Sequence, residues 1–346
     1  MTESAAQIAV ILVNWNGRNL LPACLQSIFR QTWMPTEVVV VDNGSTDGSI
    51  EYLEQAWSGQ LRLVRHAQNL GFTAGVNAGI RATSAEWIAL LNTDAVADPG
   101  WLKALMAEVS LRPDMGMFAC KIFLASEDGR IDKAGHLLYG DGLNGGRGYG
   151  QRDCGQFDHP EEVLFPDGCA ALYRRRIFEE VGLFDEQFFA YGDDAELGLR
   201  ARLFGWKCLY VPTAVVHHLH SAGLGATSSR KAMLVERNRI WLACKLFPWW
   251  LLLLNPWFSL WRYSWHAWSI ILGQGSAGTL VRERSPAALL RALAEAHISA
   301  WRGMPEIRRK HKEIFQRIGS KMNCRDWLQL MIRYRISAKE LALCNR

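Results

Sequence analysis

Over its first 110 residues the chain switches between short apolar runs and apolar residues at helical spacing. Ile8–Val13 is a strand-length run, and Leu21, Leu25, Ile28 and Phe29 then recur on one helix face. The four valines of Val38–Val41 suit a buried parallel strand. Ile50, Leu53 and Trp57 fit a helix, Leu61–Val64 a third strand, and Trp87–Leu91 a fourth. Between the last two, Gly71–Ala82 reads as a helix whose small residues allow close approach. Asp98-Pro99 has the chemistry of a helix start, continued by Trp101–Val109. This β-α-β-α alternation predicts a parallel sheet with helices on both faces.

Beyond residue 115 the pattern is less regular. Met115–Leu124 and Ile131–Tyr139 read as strands, followed by a flexible glycine-rich loop over Asp141–Gly150. That loop lacks the strand-turn-helix setting of a phosphate cradle. Val163–Leu164 is apolar, Arg174–Val181 and Asp193–Phe204 read as helices, and Lys207–Val216 as a strand.

Three acidic sites carry candidate chemistry. The second strand stops at Asp42, and in open α/β sheets ligands dock at the carboxyl ends of strands. The fourth strand stops at Asn92-Thr93-Asp94. A D-x-D pattern would place two carboxylates on one face, but here only Asp94 is charged. One carboxylate plus substrate phosphates is enough to bind Mg²⁺. The third site, Asp193, Asp194 and Glu196, opens a helix. Capping and the helix dipole explain any one of these acids. Two adjacent aspartates go beyond capping, and their repulsion raises a pKa toward the range of a general base. In the run Val215-Val-His217-His218-Leu-His220, alternation puts His217 and His218 on opposite faces. Either could complete the shell of a divalent ion, with His218 preferred.

At 346 residues, about half of them apolar, the chain can bury a large core. Its eight scattered cysteines form no C-x-x-C pair, which speaks against zinc or a disulfide framework and fits a reducing compartment. The N-terminus shows no secretory signal pattern, so a cytoplasmic location is expected. No G-x-G-x-x-G follows the first strand, which argues against a dinucleotide oxidoreductase. Asn14–Asn19 carries a single basic residue, Arg18, too few for the phosphate loop of a nucleotidyltransferase. The formal charge of +5 hides a division. Residues 282–346 hold 15 Lys or Arg against 6 Asp or Glu, and the rest is slightly acidic. A basic tail suggests an anionic surface as partner. The segment before it holds Trp241, Trp249, Trp250, Trp257, Trp261, Trp265 and Trp268, which favours a membrane surface over nucleic acid. Pro248 and Asn255-Pro256 interrupt it, so it falls short of the ~20 apolar residues of a span. It reads as one or two amphipathic helices lying in the interface, with a packed helical cap or dimer contact as the alternative.

Together these pieces resemble family-two glycosyltransferases with the GT-A fold, most of all bacterial rhamnosyltransferase-type enzymes of surface polysaccharide assembly. The likeness runs from Ile8 to about Trp241. It is carried by Val13-Asn-Trp-Asn-Gly17, Val41-Asp-Asn-Gly-Ser-Thr-Asp-Gly48, Asn69-Leu-Gly-Phe-Thr-Ala-Gly-Val-Asn-Ala-Gly79, Leu91-Asn-Thr-Asp94, Tyr191-Gly-Asp-Asp-Ala-Glu-Leu-Gly-Leu-Arg200 and Glu236-Arg-Asn-Arg239. It implies an α/β fold with a GT-A-type, Rossmann-like mixed sheet flanked by helices and a C-terminal helical extension. Residues 1–240 would form the catalytic domain and 241–346 a Trp-rich, basic helical region.

The resemblance also implies roles. Asp42 would hydrogen-bond the base or ribose, and Val13, Asn14, Asn16 and Asn43 would line the nucleotide pocket, with Asn92 also on the donor. Gly71, Phe72, Gly75 and Asn77 would shape the wall beside the diphosphate and sugar. Asp94 and His218 would hold Mg²⁺ or Mn²⁺. Asp194 would be the catalytic base, beside Asp193 as a shortened first acid of the family's E-D pair. The donor would be a nucleotide-diphosphate sugar, dTDP-L-rhamnose by subgroup. The acceptor would be a saccharide, often linked to polyprenyl diphosphate, met at the inner face of the cytoplasmic membrane. A catalytically degenerate carbohydrate-binding protein is the non-enzyme reading, and the intact Asp42, Asp94 and Asp194 argue against it.

Overall fold

A computed structural model describes residues 7–127, 129–219, 228–319 and 323–343. The chain opens with β1 (Ile8–Asn14), α1 (Leu21–Phe29), β2 (Glu37–Asp42), α2 (Ser49–Ala56), β3 (Arg62–Arg65), α3 (Phe72–Ala82), β4 (Trp87–Leu91), β5 (Ala95–Ala97) and α4 (Trp101–Leu111). β1 pairs in parallel with both β2 and β4, and β3 extends β2. Alternation sends Val10 and Leu12 to the face covered by α1 and α4, and Ala9 and Ile11 to the face covered by α3. α3 lies close because it carries glycine: a Cβ at Gly75 would meet Val13 at 2.6 Å, and one at Gly79 would meet Ile11 at 2.4 Å.

The second half turns the sheet mixed. β6 (Met115–Leu124) is followed by β7 (Ile131–Lys133), β8 (His136–Leu138), β9 (Asn144–Gly146), β10 (Glu161–Val163), β11 (Ala170–Arg174), α5 (Arg175–Val181), α6 (Asp193–Leu203) and β12 (Lys207–His218). The main sheet runs β10-β12-β6-β11-β4-β1-β2-β3. β11 is antiparallel to both β4 and β6, so β6 and the parallel β12 regain the direction of β1. β1, β2, β4 and β12 therefore end on one edge, and β11, running oppositely, starts there.

Several sequence expectations change. The run Ile131–Tyr139 is two strands, broken where Gly135 takes φ +89°. The loop after it contains β9, paired with β8. α4 begins at Trp101, and Asp98 pairs with His217 instead of capping.

Six more helices follow among the described residues: α7 (Ser229–Leu246), α8 (Trp249–Ile271), α9 (Gly275–Glu283), α10 (Pro286–Ile318), α11 (Cys324–Arg333) and, last, the short α12 (Ala338–Leu343). α7 runs unbroken through residue 240, and α8 continues through Asn255-Pro256. No helix among the described residues is long and apolar enough to cross a membrane. Ion pairs tie these helices to the sheet domain. Lys245 of α7 and Lys310 of α10 reach Asp185 at 2.5 and 2.7 Å. Arg262 of α8 is buried between Asp141, 2.6 Å away, and Glu236, 2.9 Å away. Arg262, inside the Trp-rich segment, therefore serves an internal contact.

These pairs make stability depend on acid. Burial alone would raise Asp185 and Glu236. Lys245 and Lys310 instead hold Asp185 at about 2, and Arg262 and Arg239 hold Glu236 at about 2. A depressed carboxylate stabilises the fold above its unfolded pKa and loses that contribution as pH falls through the folded one. Each contributes on the order of 2–3 kcal/mol. The urea midpoint is expected to fall between pH 4.5 and 2, and to fall less over that range in an Asp185→Asn variant. A flat profile would contradict the assignment.

Candidate active site

A cleft of about 700 Å³ opens along the edge where the strands end. β4 delivers Asn92, Thr93 and Asp94 to it, and β12 delivers His218. Asp94 Oδ1 lies 3.3 Å from His218 Nε2. His218 Nδ1 bonds Asp132 Oδ2 at 2.8 Å, which orients the ring so that Nε2 faces Asp94. His217 points the other way, stacked on Phe123 and paired with Asp98. His220 lies outside the described residues. Burial disfavours a charged His218, yet Cys169, Asp132 and Asp94 around it raise its pKa well above the ordinary imidazole value. The pocket thus favours positive charge. Two donors about 3.3 Å apart also suit neighbouring ligands of one ion at ~2.1 Å from each. The residues present therefore fit a divalent cation.

A second group, His136, Asp167 and Asp194, could also hold a metal ion, its ligand atoms all lying within 4.8 Å of one another. Its hydrogen bonds are already committed. The Asn144 amide lies 3.0 Å from His136 Nδ1, and His136 Nε2 lies 2.9 Å from Asp167. Lys133 neutralises Asp167 at 2.7 Å. Lys133 and His136 hold Asp167 far below the usual carboxylate range despite its burial. This arrangement reads more naturally as a hydrogen-bonded support for Asp194 than as a metal cradle.

Asp193 and Asp194 open α6 behind Gly192, whose φ is +70°. Both are buried and both line the cleft. Asp194 accepts from the Ala195 and Gly168 N–H groups at 2.7 and 3.2 Å. Burial pushes both acids up, and Asp194 pushes Asp193 further. The pair therefore holds a proton more readily than two isolated carboxylates would.

The turn before α6 is strained. Among the described residues, Asn16, Phe189 and Tyr191 are the non-glycine positions with positive φ, and all three line the cleft. Asn238 of α7 clamps this turn, its Nδ2 lying 2.9, 2.9 and 2.7 Å from the carbonyl oxygens of Phe188, Ala190 and Tyr191. Tyr191 is pushed up to about 12 by burial and by Asp94 and Asp193, so its hydroxyl stays protonated beside both acids.

The expected donor-binding residues divide into two sets. Val13, Asn16, Asn43, Phe72 and Asn92 line the cleft, joined by Trp15 and Asn69. Asp42, Asn14, Gly71, Gly75 and Asn77 do not line it; they build the wall behind. Asp42 is wholly buried, accepting from the Asn14 amide and the Ser45 N–H, both at 2.9 Å. Asn77 binds Phe184 through both its amide nitrogen and its oxygen. Gly71, at φ +95°, leaves room for Phe189, which a Cβ would meet at 2.6 Å.

Residues 5–239 match the family described as "Glycosyltransferase like family 2". The chain belongs to this family. A curated relative, the N-acetylglucosaminyl-diphospho-decaprenol L-rhamnosyltransferase of Mycobacterium tuberculosis, is 30% identical over 268 residues, covering 70% of this chain and 86% of the relative. The O-antigen biosynthesis protein RfbC of Myxococcus xanthus is 28% identical over 70% of this chain, but only 19% of its own length is matched. Two solved structures share the fold, each at 18% identity. The mannosyltransferase PcManGT from Pyrobaculum calidifontis, in complex with GDP-Man and Mn²⁺, gives a TM-score of 0.51 over 86% of this chain and 87% of its own. GalNAc-T7 with UDP, GalNAc and Mn²⁺ gives 0.56 over 70% of this chain, which spans about half of that structure's length (48%). The glycosyltransferase family, the GT-A fold and the rhamnosyltransferase likeness expected from the motifs are thereby shown.

In this family 2 glycosyltransferase, sequence reasoning overlooked Lys133, His136 and Asp167. They lie in short irregular strands and turns where no periodicity marks a face. Asn238 stood inside the quoted Glu236–Arg239 motif, but its role depends on a turn almost 50 residues earlier. An Asn238→Ala change leaves three carbonyls without that donor and is expected to lower unfolding stability by about 1–3 kcal/mol. It should also depress sugar transfer by the glycosyltransferase more than its folded fraction accounts for. Unchanged turnover in folded Asn238→Ala protein would remove the clamp's role.

Proposed function

We propose that this chain is an inverting, divalent-metal-dependent transferase that moves a sugar from a nucleotide diphosphate to a saccharide acceptor. The observation that carries the reading is the pairing of two unlike acidic sites across one cleft: Asp94 beside His218, and Asp194 beside Asp193. Asp94 and His218 would hold Mg²⁺ or Mn²⁺, which when bound offsets negative charge developing on the departing diphosphate. Asn16, Asn43 and Asn92 offer amides to the nucleotide side. Asp194 takes the proton of the acceptor hydroxyl as its oxygen bonds the anomeric carbon. The bond from that carbon to the diphosphate oxygen breaks, and the nucleotide diphosphate leaves with the electron pair. One base opposite the leaving group gives one displacement and therefore inversion.

The name of the Mycobacterium tuberculosis relative supports L-rhamnose as the sugar and a polyprenyl-diphosphate-linked saccharide as the acceptor. We take residues 1–240 as the catalytic unit and 241–346 as helices that roof it. We place the protein in the cytoplasm at the inner membrane face. The outer side of α8 supports that placement: Trp249, Leu253, Trp257, Leu260, Trp261, Trp268 and Ile271 are all more than half exposed and follow helical spacing.

Asp194→Asn should lower transfer by about 10²–10⁴-fold while donor binding persists. Asp94→Ala should abolish Mn²⁺-dependent thermal stabilisation by nucleotide diphosphate. Retained turnover in the first variant, or retained metal dependence in the second, would overturn the roles. For the membrane face, a Trp257→Ser, Trp261→Ser, Trp268→Ser triple variant should float with anionic liposomes far less than the parent chain. Equal flotation would reject α8 as the docking surface.

A further inference from the structure

The cleft has two chemically different ends. One carries Asp94, His218, Asp193 and Asp194. The other runs beneath the C-terminal helices, where Leu242, Ala277, Leu280, Leu289, Leu293 and Leu341 face the same continuous cavity. These six come from α7, α9, α10 and α12. A nucleotide, a diphosphate and sugars are all polar, so none of them accounts for an aliphatic end. Leu289 and Leu293 sit one turn apart on α10 and are only half-buried, and Leu280 on α9 is buried. On the outside of this helical layer, apolar groups again face solvent. Trp257 and Trp261 lie on α8, and Leu290, Ile298 and Trp301 lie on α10.

We propose that the aliphatic end is a binding channel for the hydrocarbon tail of the acceptor, seating the first isoprene units while the diphospho-saccharide reaches Asp194. This rests on the glycosyltransferase reading above and locates the tail within the same cavity. Three observations select an isoprenoid over other occupants. The channel is continuous with the catalytic acids, so what fills it is joined to a reacting group. Its walls set those six aliphatic side chains beside Arg262, Tyr263, His266 and Ser276, and the aliphatic stretch from Leu280 to Leu293 matches a chain without polar atoms. α10, which lines the channel through Leu289 and Leu293, also carries Leu290, Ile298 and Trp301 on its exposed side, so the layer that would face a bilayer is the one that encloses the channel. The C-terminal helices are then part of the acceptor site, which explains why buried ion pairs fasten them to the sheet domain.

The test uses the full chain and four soluble probes: isopentenyl, geranyl, farnesyl and geranylgeranyl diphosphate. Binding is read by calorimetry in the presence of Mn²⁺. Affinity should rise with each added isoprene, by at least tenfold across the series. Leu293→Trp, which fills the channel, and Leu289→Gln, which makes it polar, should each remove that rise while leaving inorganic diphosphate affinity and thermal unfolding unchanged. Affinity independent of chain length would overturn the channel, as would a rise that both folded variants retain. Sedimentation showing that farnesyl diphosphate dissociates a dimer would assign the groove to a second copy and also overturn it. The two readings fail separately. A chain-length effect without sugar transfer from any donor keeps the channel and removes the catalysis. Sugar transfer without a chain-length effect does the reverse.

Discussion

The structure depends on a buried cluster of four charges, Asp141, Glu236, Arg239 and Arg262. Arg262 reaches Asp141 and Glu236, Arg239 bonds Glu236 and the Asp141 carbonyl, and the Tyr263 hydroxyl adds a bond to Glu236 at 2.6 Å. Removing one partner from such a cluster leaves an uncompensated buried charge, at a cost of about 3–5 kcal/mol. The cluster joins the glycine-rich turn after β8 to α7 and α8. It therefore helps hold the helical layer over the cleft that Asp193 and Asp194 line.

Sheet polarity does the rest of the positioning. Four strands point the same way and end together, so Asn14, Asp42, Asp94 and His218 come to one edge despite more than 200 residues of separation. The antiparallel β11 contributes from its opposite end, bringing the Asp167–Cys169 turn to the same place. Over this edge the strained 188–191 turn is held by α7 through Asn238. Strain at Phe189 and Tyr191, together with a buried pair of aspartates, is stored at the site and offset by packing elsewhere.

The parallel half of the fold was legible because its signals are local: valine runs, helical spacing and strand-end acids. β11 was not legible. Cys169–Tyr173 is an apolar run that leads directly into the α5 helix, with no turn residue to separate the two. Strand alternation put His217 and His218 on opposite faces, and the structure turns His218 to the cleft. Asp42 shows the limit of that logic. Its strand end was clear, but only the folded turn over it, with Ser45 and Asn14 as partners, turns its carboxylate inward. Arg262 shows a second limit. In sequence it is a basic residue in a Trp-rich stretch, and its partners lie 121 and 26 residues away. Trp257, Trp261, Trp265 and Trp268 were legible as a stripe from their spacing, whereas Trp241, in the same Trp-rich stretch, is buried in the core of the helical layer.

We propose that Asp94 and His218 form the cation site while Asp194 stands apart as the base. The most direct measurement is an anomalous difference map, at the manganese edge, of crystals grown with Mn²⁺ and a nucleotide diphosphate. The account predicts one peak between Asp94 and His218, in contact with the diphosphate, with the Asp194 carboxylate free of metal. A peak held by His136, Asp167 and Asp194 instead would contradict it.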